Sequence, residues 1–538
     1  MAVVLSLALC GLPLAAQTAP QEGEAGQSAP AQSPEDQKPA PPASGSNQET
    51  DQDNSQEKPE IKITPREAEE LFHSVDEILE FDSKQTGLPI KKQVKRKLTS
   101  RDEVVAYLTK HVNDEDTKRL RRSELVLKKF GLLPQNFDLE TFLVALLREE
   151  IAGYYDPKTK TVNLLDWVPM DEQEPVIAHE LTHALQDQSV GLDKWMKRGD
   201  KDLGEIRKDP TPTDIENDEI DDAREAVVEG QAQAMMFQYA LAPTGRSIID
   251  SPDLLQSMEE ETLTGTPGTK VFNEAPIFLK ESMTFPYSYG MEFVVQLMQK
   301  AGKDTAFAGL LKNPPHTTRQ IMQPETYLSG EKIDPMPVPD FKRDFKEYQK
   351  FDIGAMGEFD VAVLIEQYAG KPLSRQMYPA WRGGYYYAAR AKSNLSAPLG
   401  LLYVSRWSSP EKAEEFAEIY ADSLPHRYKT VTVANTPAME TSITQNSSSI
   451  RSDLSVKTVA QDEPSSQSAP SSANSESDSG SDSNSKDQLK PIGRLTGRHT
   501  WDTDEGTVVI EEHGNTVLVS ESLDPDTTAA LEKEVFNK

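Results

Sequence analysis

Cysteine is almost missing from this sequence: the 538-residue chain holds one, Cys10, so neither an intrachain disulfide nor a multi-thiolate metal site is available. Positive charge is also scarce. Lys and Arg number 57 against 88 Asp and Glu, a formal net charge of −31, which is the wrong sign for neutralising phosphates and excludes nucleic acid as a partner. Apolar residues make up 36% of the chain, prolines number 37 and the mean hydropathy is −0.59. That balance leaves part of the sequence unable to offset the entropy of ordering. Past the N-terminus no run approaches the roughly 18 apolar residues of a membrane helix, so no transmembrane span is expected in the mature chain.

What is there is unevenly distributed. Residues 2–16 are apolar and end in small side chains before Gln17, the pattern of a signal peptide over residues 1–16, with no Lys or Arg before Lys38. Export to the periplasm or the exterior is the expected fate. Cleavage after Ala16 would remove Cys10 and exclude a cysteine nucleophile, and Leu-Ala-Leu before Cys10 does not favour a lipid anchor. Residues 17–60 are Gln, Pro, Ser, Ala and Glu, a disordered linker by composition. An α-rich N-terminal region is expected over 61–137, where Ala68, Leu71, Phe72, Val75, Ile78 and Leu79 share one helical face and Ser100 starts a second helix. Asp138 then caps a helix whose Leu139, Phe142, Leu143, Leu146 and Leu147 form an apolar stripe, and GYYDPKTKTVNLL reads as a hairpin around Asp156-Pro157.

Towards the C-terminus, residues 380–440 read as strand, strand, helix, strand. Residues 441–488 are a Ser/Asp-rich disordered stretch, and 489–538 form a hairpin and a short helix. So short a terminal piece cannot bury a good core alone, so it should pair with the earlier strands, making 441–488 an insertion within one α+β domain.

Chemistry concentrates between these regions. Residues 175–188, PVIAHELTHALQDQ, contain His179-Glu180-Leu181-Thr182-His183, with Pro175 suited to a first helical turn and Ile177, Leu181, Ala184 and Leu185 forming an apolar stripe. Residues four apart lie one turn above each other, so both imidazoles can share a tetrahedral Zn²⁺. Glu180 lies about 100° round the helix, placed to reach water rather than the ion. With eight histidines in the chain, chance supplies such a motif on the order of 1% of the time.

A catalytic zinc site of this kind uses a third protein ligand. No HxxGxxH follows, which excludes the metzincin arrangement. Asp222, Glu225 and Glu229 share a face of the next helical stretch, NDEIDDAREAVVEGQAQAMMFQY. Glu229, among Val227, Val228 and Gly230, is the favoured ligand, because an acid in apolar surroundings needs a partner and a small neighbour permits close helix approach. Glu225 competes. Tyr287, Tyr289 and His316 are candidate oxyanion donors, with Tyr287 preferred. His73, His111, His426, His499 and His513 stand alone and read as structural or exposed.

His179-Glu180-Leu181-Thr182-His183-Ala184 followed by a glutamate on a later helix resembles the gluzincin, or thermolysin-like, zinc metallopeptidases, over roughly residues 150–240. GYYDP, HELTHALQDQ, VVEG, FPYSYG and the PP-TT-Q-PE-Y pattern of residues 314–327 are similar to a family of exported bacterial peptidases. The resemblance implies an α+β fold with a zincin-like core over 138–350, built of a short β-sheet and active-site helices, with extended substrate aligned on the sheet edge. It implies that His179, His183 and Glu229 bind Zn²⁺, that Glu180 is the general base in hydrolysis of a peptide or protein substrate, and that a donor such as Tyr287 stabilises the oxyanion. One departure is clear: thermolysin-like enzymes carry an Asp four residues after the glutamate ligand to orient a histidine, and here that residue is Gln233. Asp187, Asp222 and Glu225 are the candidate replacements. Two other readings stand beside the peptidase, a non-catalytic exported binding protein with a structural zinc, and a zymogen whose N-terminal region covers the cleft.

Overall fold

The computed structural model describes residues 62–104, 114–149, 153–196, 212–251, 270–434 and 493–537. The expected signal, the 17–60 linker and the 441–488 insertion lie outside the described residues. The fold is α+β, with helices around a three-stranded sheet followed by a seven-stranded sheet.

Helix α1 (Pro65–Thr86) starts at a capping box formed by Thr64 and Glu67 and ends at Gly87 in the left-handed region. Leu71, Val75, Ile78 and Leu79 form its buried face and pack on α4 (Met170–Val190). The strand that follows, β1 (Lys95–Thr99), pairs in parallel with β3 (Thr161–Leu165), which pairs antiparallel with β2 (Tyr154–Asp156). The α-rich N-terminal region therefore also supplies a strand to the sheet beside the motif. KRKLT does not read as a strand by apolar content; it is an edge, and Lys95 and Lys97 keep their charges in solvent. Helix α2 (Asp114–Phe130) and helix α3 (Leu139–Glu149) follow, and Asp138 caps α3 by accepting from the Thr141 amide at 2.9 Å.

Helix α4 begins at Met170, so Pro175 lies inside it rather than in the expected first turn. The earlier start is held by Gln173, whose side chain accepts from Leu165 N and donates to Leu165 O, both at 3.0 Å, so the helix enters directly from β3. Residues 177–187 of α4 are all buried. The motif helix is enclosed on every side instead of showing one apolar stripe to the core, because α1, the small sheet and α5 (Pro212–Leu241) all pack against it. Helix α6 (Ile277–Ala301) runs through Pro286. It crosses α5 where Gly230 meets Gly290: a Cβ on Gly230 would lie 2.2 Å from the Gly290 carbonyl carbon, and one on Gly290 would lie 2.2 Å from the Ala226 oxygen.

The second sheet has the order β4-β5-β6-β10-β9-β8-β7, antiparallel throughout, from β4 (Tyr348–Ala355), β5 (Trp381–Ala391), β6 (Gly400–Trp407), β7 (Val431–Val433), β8 (Arg498–Thr503), β9 (Gly506–His513) and β10 (Thr516–Glu521). Strand β10 joins β6 and β8 joins β7, so the chain on both sides of residues 435–492 builds one sheet. The expected domain boundary at 350 falls inside β4, which pairs with β5, and WDTDEGTVVIEE is a hairpin of two strands rather than one. Alternation divides the faces. Tyr385, Tyr387, Leu402, Val404 and Leu518 pack with Phe341, Phe345 and α10 (Pro525–Val535), while Tyr403, Val508, Ile510, Val517 and Val519 join the core with α9 (Pro410–Arg427).

Candidate metal centre

Four polar side chains of the motif are forced inward by the enclosure of α4. His179, Glu180, Thr182 and His183 are 1%, 3%, 0% and 8% exposed, and buried polar groups need partners. His179 and His183 project from successive turns with Nε2 atoms 3.1 Å apart. Helix α5 brings Glu229 to both, because the glycine crossing at Gly230 lets α6 press α5 inward: Glu229 Oε2 lies 3.2 Å from His179 Nε2 and 3.4 Å from His183 Nε2. The three donor atoms thus form a nearly equilateral triangle. Vertices of a tetrahedron around an ion with ligand distances of about 2.0–2.1 Å stand ~3.3 Å apart, so the donor set fits a small divalent cation. Among the described residues this is the one group of three metal-ligating side chains within reach of each other.

Proton accounting supports the same reading. His183 Nδ1 faces Gln186 Oε1 at 2.9 Å, and Gln186 Nε2 donates to Val228 O at 3.0 Å and Gln231 Oε1 at 2.9 Å. The amide of Gln186 is therefore fixed with its oxygen towards the ring, and His183 carries its proton on Nδ1. With the ring neutral, as metal binding requires, its Nε2 lone pair points at Glu229 and His179, so acceptors converge on one point. Burial opposes a charge on His183, yet the Glu229 carboxylate outweighs burial and pushes its pKa up to about 9. Glu229 is held down to about 2 by both imidazoles against the same burial. The cluster is a buried place that draws in positive charge.

Glu180 points elsewhere. Its Oε2 accepts from the Tyr155 backbone amide of β2 at 2.6 Å, and its Oε1 is buried with no hydrogen-bond partner. Strand β2 is held against α4 a second time, since Asp187 accepts from Tyr155 Oη at 2.8 Å and pairs with Lys160 at 2.6 Å. Asp187 therefore braces the hairpin instead of orienting a histidine. Tyr287 of α6 is brought to the cluster, with its ring 6.1 Å from that of His179 at an interplanar angle of 21°. Tyr289 packs on Phe285, and His316 is exposed on its loop. Glu225 is buried one turn before Glu229 but does not join the three-donor group.

Sequence reasoning missed Gln186 and Gln231. Gln186, three residues after His183, was visible on the histidine face of its helix, whereas Gln231, two residues after Glu229, lies on the opposite side of its helix and carried no such signal. Both are 0% exposed. Comparison with protein-family models, curated proteins and solved structures finds no match to this chain, so the function is argued from the site alone.

Proposed function

We propose that the chain is an exported zinc metallopeptidase with a zincin-like core, hydrolysing peptide bonds with Glu180 as general base. The observation that carries this reading is the His179–His183–Glu229 triangle with a carboxylate beside it that is not a ligand. Three protein ligands suit a catalytic zinc, whereas structural sites close with four. When bound, zinc supplies Lewis-acid polarisation of the scissile carbonyl and acidifies water. The side chains do the rest. Glu180 is oriented by the Tyr155 amide through one oxygen and keeps the other free to take a proton and return it to the leaving amine. Tyr287, whose ring stacks on that of His179, is the candidate donor for the oxyanion. Burial of the cluster favours a second reading, a structural zinc in a non-catalytic exported protein.

Zinc content and hydrolysis of a quenched peptide by wild type and Glu180→Gln separate the two. About one zinc per chain in both, with turnover reduced at least ~10³-fold only in the variant, is expected. Zinc in both and turnover in neither would favour the structural reading. No zinc in either would sink both.

A further inference from the structure

The ring of His183 is the first member of a buried chain of hydrogen bonds that leaves the metal cluster and ends on backbone. Gln231 Nε2 donates to Ala306 O at 2.7 Å and Phe307 O at 3.1 Å, both in the π-helical turn Thr305–Gly309. Carbonyl oxygens only accept, so the Gln231 nitrogen must face that turn and its oxygen must face Gln186. Gln186 Nε2 then donates to Gln231 Oε1 and Val228 O, and Gln186 Oε1 is left to accept from His183 Nδ1–H. Reversing any amide would set two acceptors against each other in a region without solvent, since Gln186, Gln231, Ala306 and Phe307 are all 0% exposed. The relay has one direction.

We infer that Gln186 and Gln231 are positioning residues: a relay anchored on three backbone carbonyls commits His183 to the Nδ1-protonated tautomer and aims Nε2 at the metal. This rests on the metal reading of the cluster. The orienting group of His183 thus comes from neutral amides on α4 and α5. A neutral acceptor fixes the ring without adding negative charge next to a ligand set that already contains Glu229.

The test is zinc affinity of the full chain, by competition with a chromophoric chelator, for wild type, Gln186→Leu, Gln231→Leu and the double variant. Thermal unfolding of the metal-free proteins reports folding separately. Gln186→Leu is expected to weaken zinc binding about 10–100-fold. Gln231→Leu touches neither His183 nor the ion, yet a relay predicts that it too weakens binding by at least about 5-fold. The double variant should be no weaker than Gln186→Leu, since a chain cut once is already cut. Gln186→Glu keeps an acceptor for Nδ1–H and, as a neutral acid, one donor where the amide has two, so it should bind zinc more tightly than Gln186→Leu yet more weakly than wild type, and it also serves if the leucine variants fail to fold. Lower unfolding temperature with unchanged zinc affinity in Gln231→Leu, or losses that multiply in the double variant, would show packing roles and overturn the relay. A wild type that binds no zinc overturns the metal reading itself, and the relay with it.

Discussion

Asp82 lies behind the motif helix, 0% exposed, with neither carboxylate oxygen hydrogen-bonded. Its nearest polar neighbour on α4 is Thr182, whose hydroxyl already donates to Ala178 O at 2.9 Å. Burial therefore drives its pKa well above the usual carboxylate range, and Thr182 offsets this only in part. The fold binds this proton more tightly than the unfolded chain does. The stability that Asp82 contributes is full below the unfolded value and is lost as pH rises towards the folded one. Replacing Asp82 with Leu should raise stability by about 1–3 kcal/mol at pH 7, with a smaller gain at pH 4, measured by denaturant unfolding at both. Equal effects at the two pH values would count against a buried, protonated Asp82. In sequence, Asp82 interrupts the apolar stripe of α1 after Ile78, which is legible. What faces it across the α1–α4 contact is not, since that depends on the crossing of two distant helices.

Two glycines on different helices, Gly230 and Gly290, decide how closely α5 and α6 approach. Each sits in a motif legible from sequence, VVEG and FPYSYG, and the need for a small residue beside Glu229 could be argued from the chain alone. Their meeting could not, because nothing local says which glycine lies opposite. Gly230→Ala would place a methyl group 2.2 Å from the Gly290 carbonyl carbon, and the helices must separate. The expected cost is roughly 1–3 kcal/mol, with zinc affinity reduced about 10-fold or more because Glu229 moves with α5. Unfolding and chelator competition on the same variant check both parts; an unchanged unfolding midpoint would show that the crossing yields freely. The motif helix was legible from its spacing, and so were the two histidines and Glu229. Its full enclosure was not, since amphipathic reasoning assigns one face to the core and cannot see that three elements cover the other sides.

At the scale of the whole molecule, α5 joins the His179–His183–Glu229 cluster to the large sheet. Its C-terminal half carries Glu229; at its N-terminal end Ile215 packs with Phe341 and Tyr385, and Glu219 accepts from Thr318 N and Thr318 Oγ1, both at 3.0 Å. The TT and Q of the pattern at residues 314–327, read from sequence only as a likeness, belong to a junction that Arg319 completes: Arg319 pairs with Glu358 at 2.8 Å and Gln323 donates to Glu358 at 2.6 Å. Asp360 accepts from Gly357 N at 2.9 Å to start α8 (Glu358–Ala369).

Two buried acids, Glu219 and Glu358, and the half-buried Asp360 thus gather where the two parts of the molecule meet. Burial, with the neighbouring Asp360 charge, pushes Glu219 up to about 8; burial raises Glu358 to about 7 against Arg319, and Asp360 to about 6. All three values lie above those of the unfolded chain, so the stability they give is complete below about pH 4 and falls as pH rises through 6 to 8. Wild type should lose on the order of 2–3 kcal/mol between pH 6 and pH 9 from Glu219. Glu219→Gln keeps an oxygen to accept from Thr318 and has no proton to lose, so its unfolding midpoint should fall less over the same range. Thermal unfolding of both proteins at several pH values decides it. Parallel profiles would mean that Glu219 is ionised in the fold and that Thr318 alone stabilises the charge; a flatter profile for the variant would mean that one proton on Glu219 helps hold the helix of Glu229 to the C-terminal sheet.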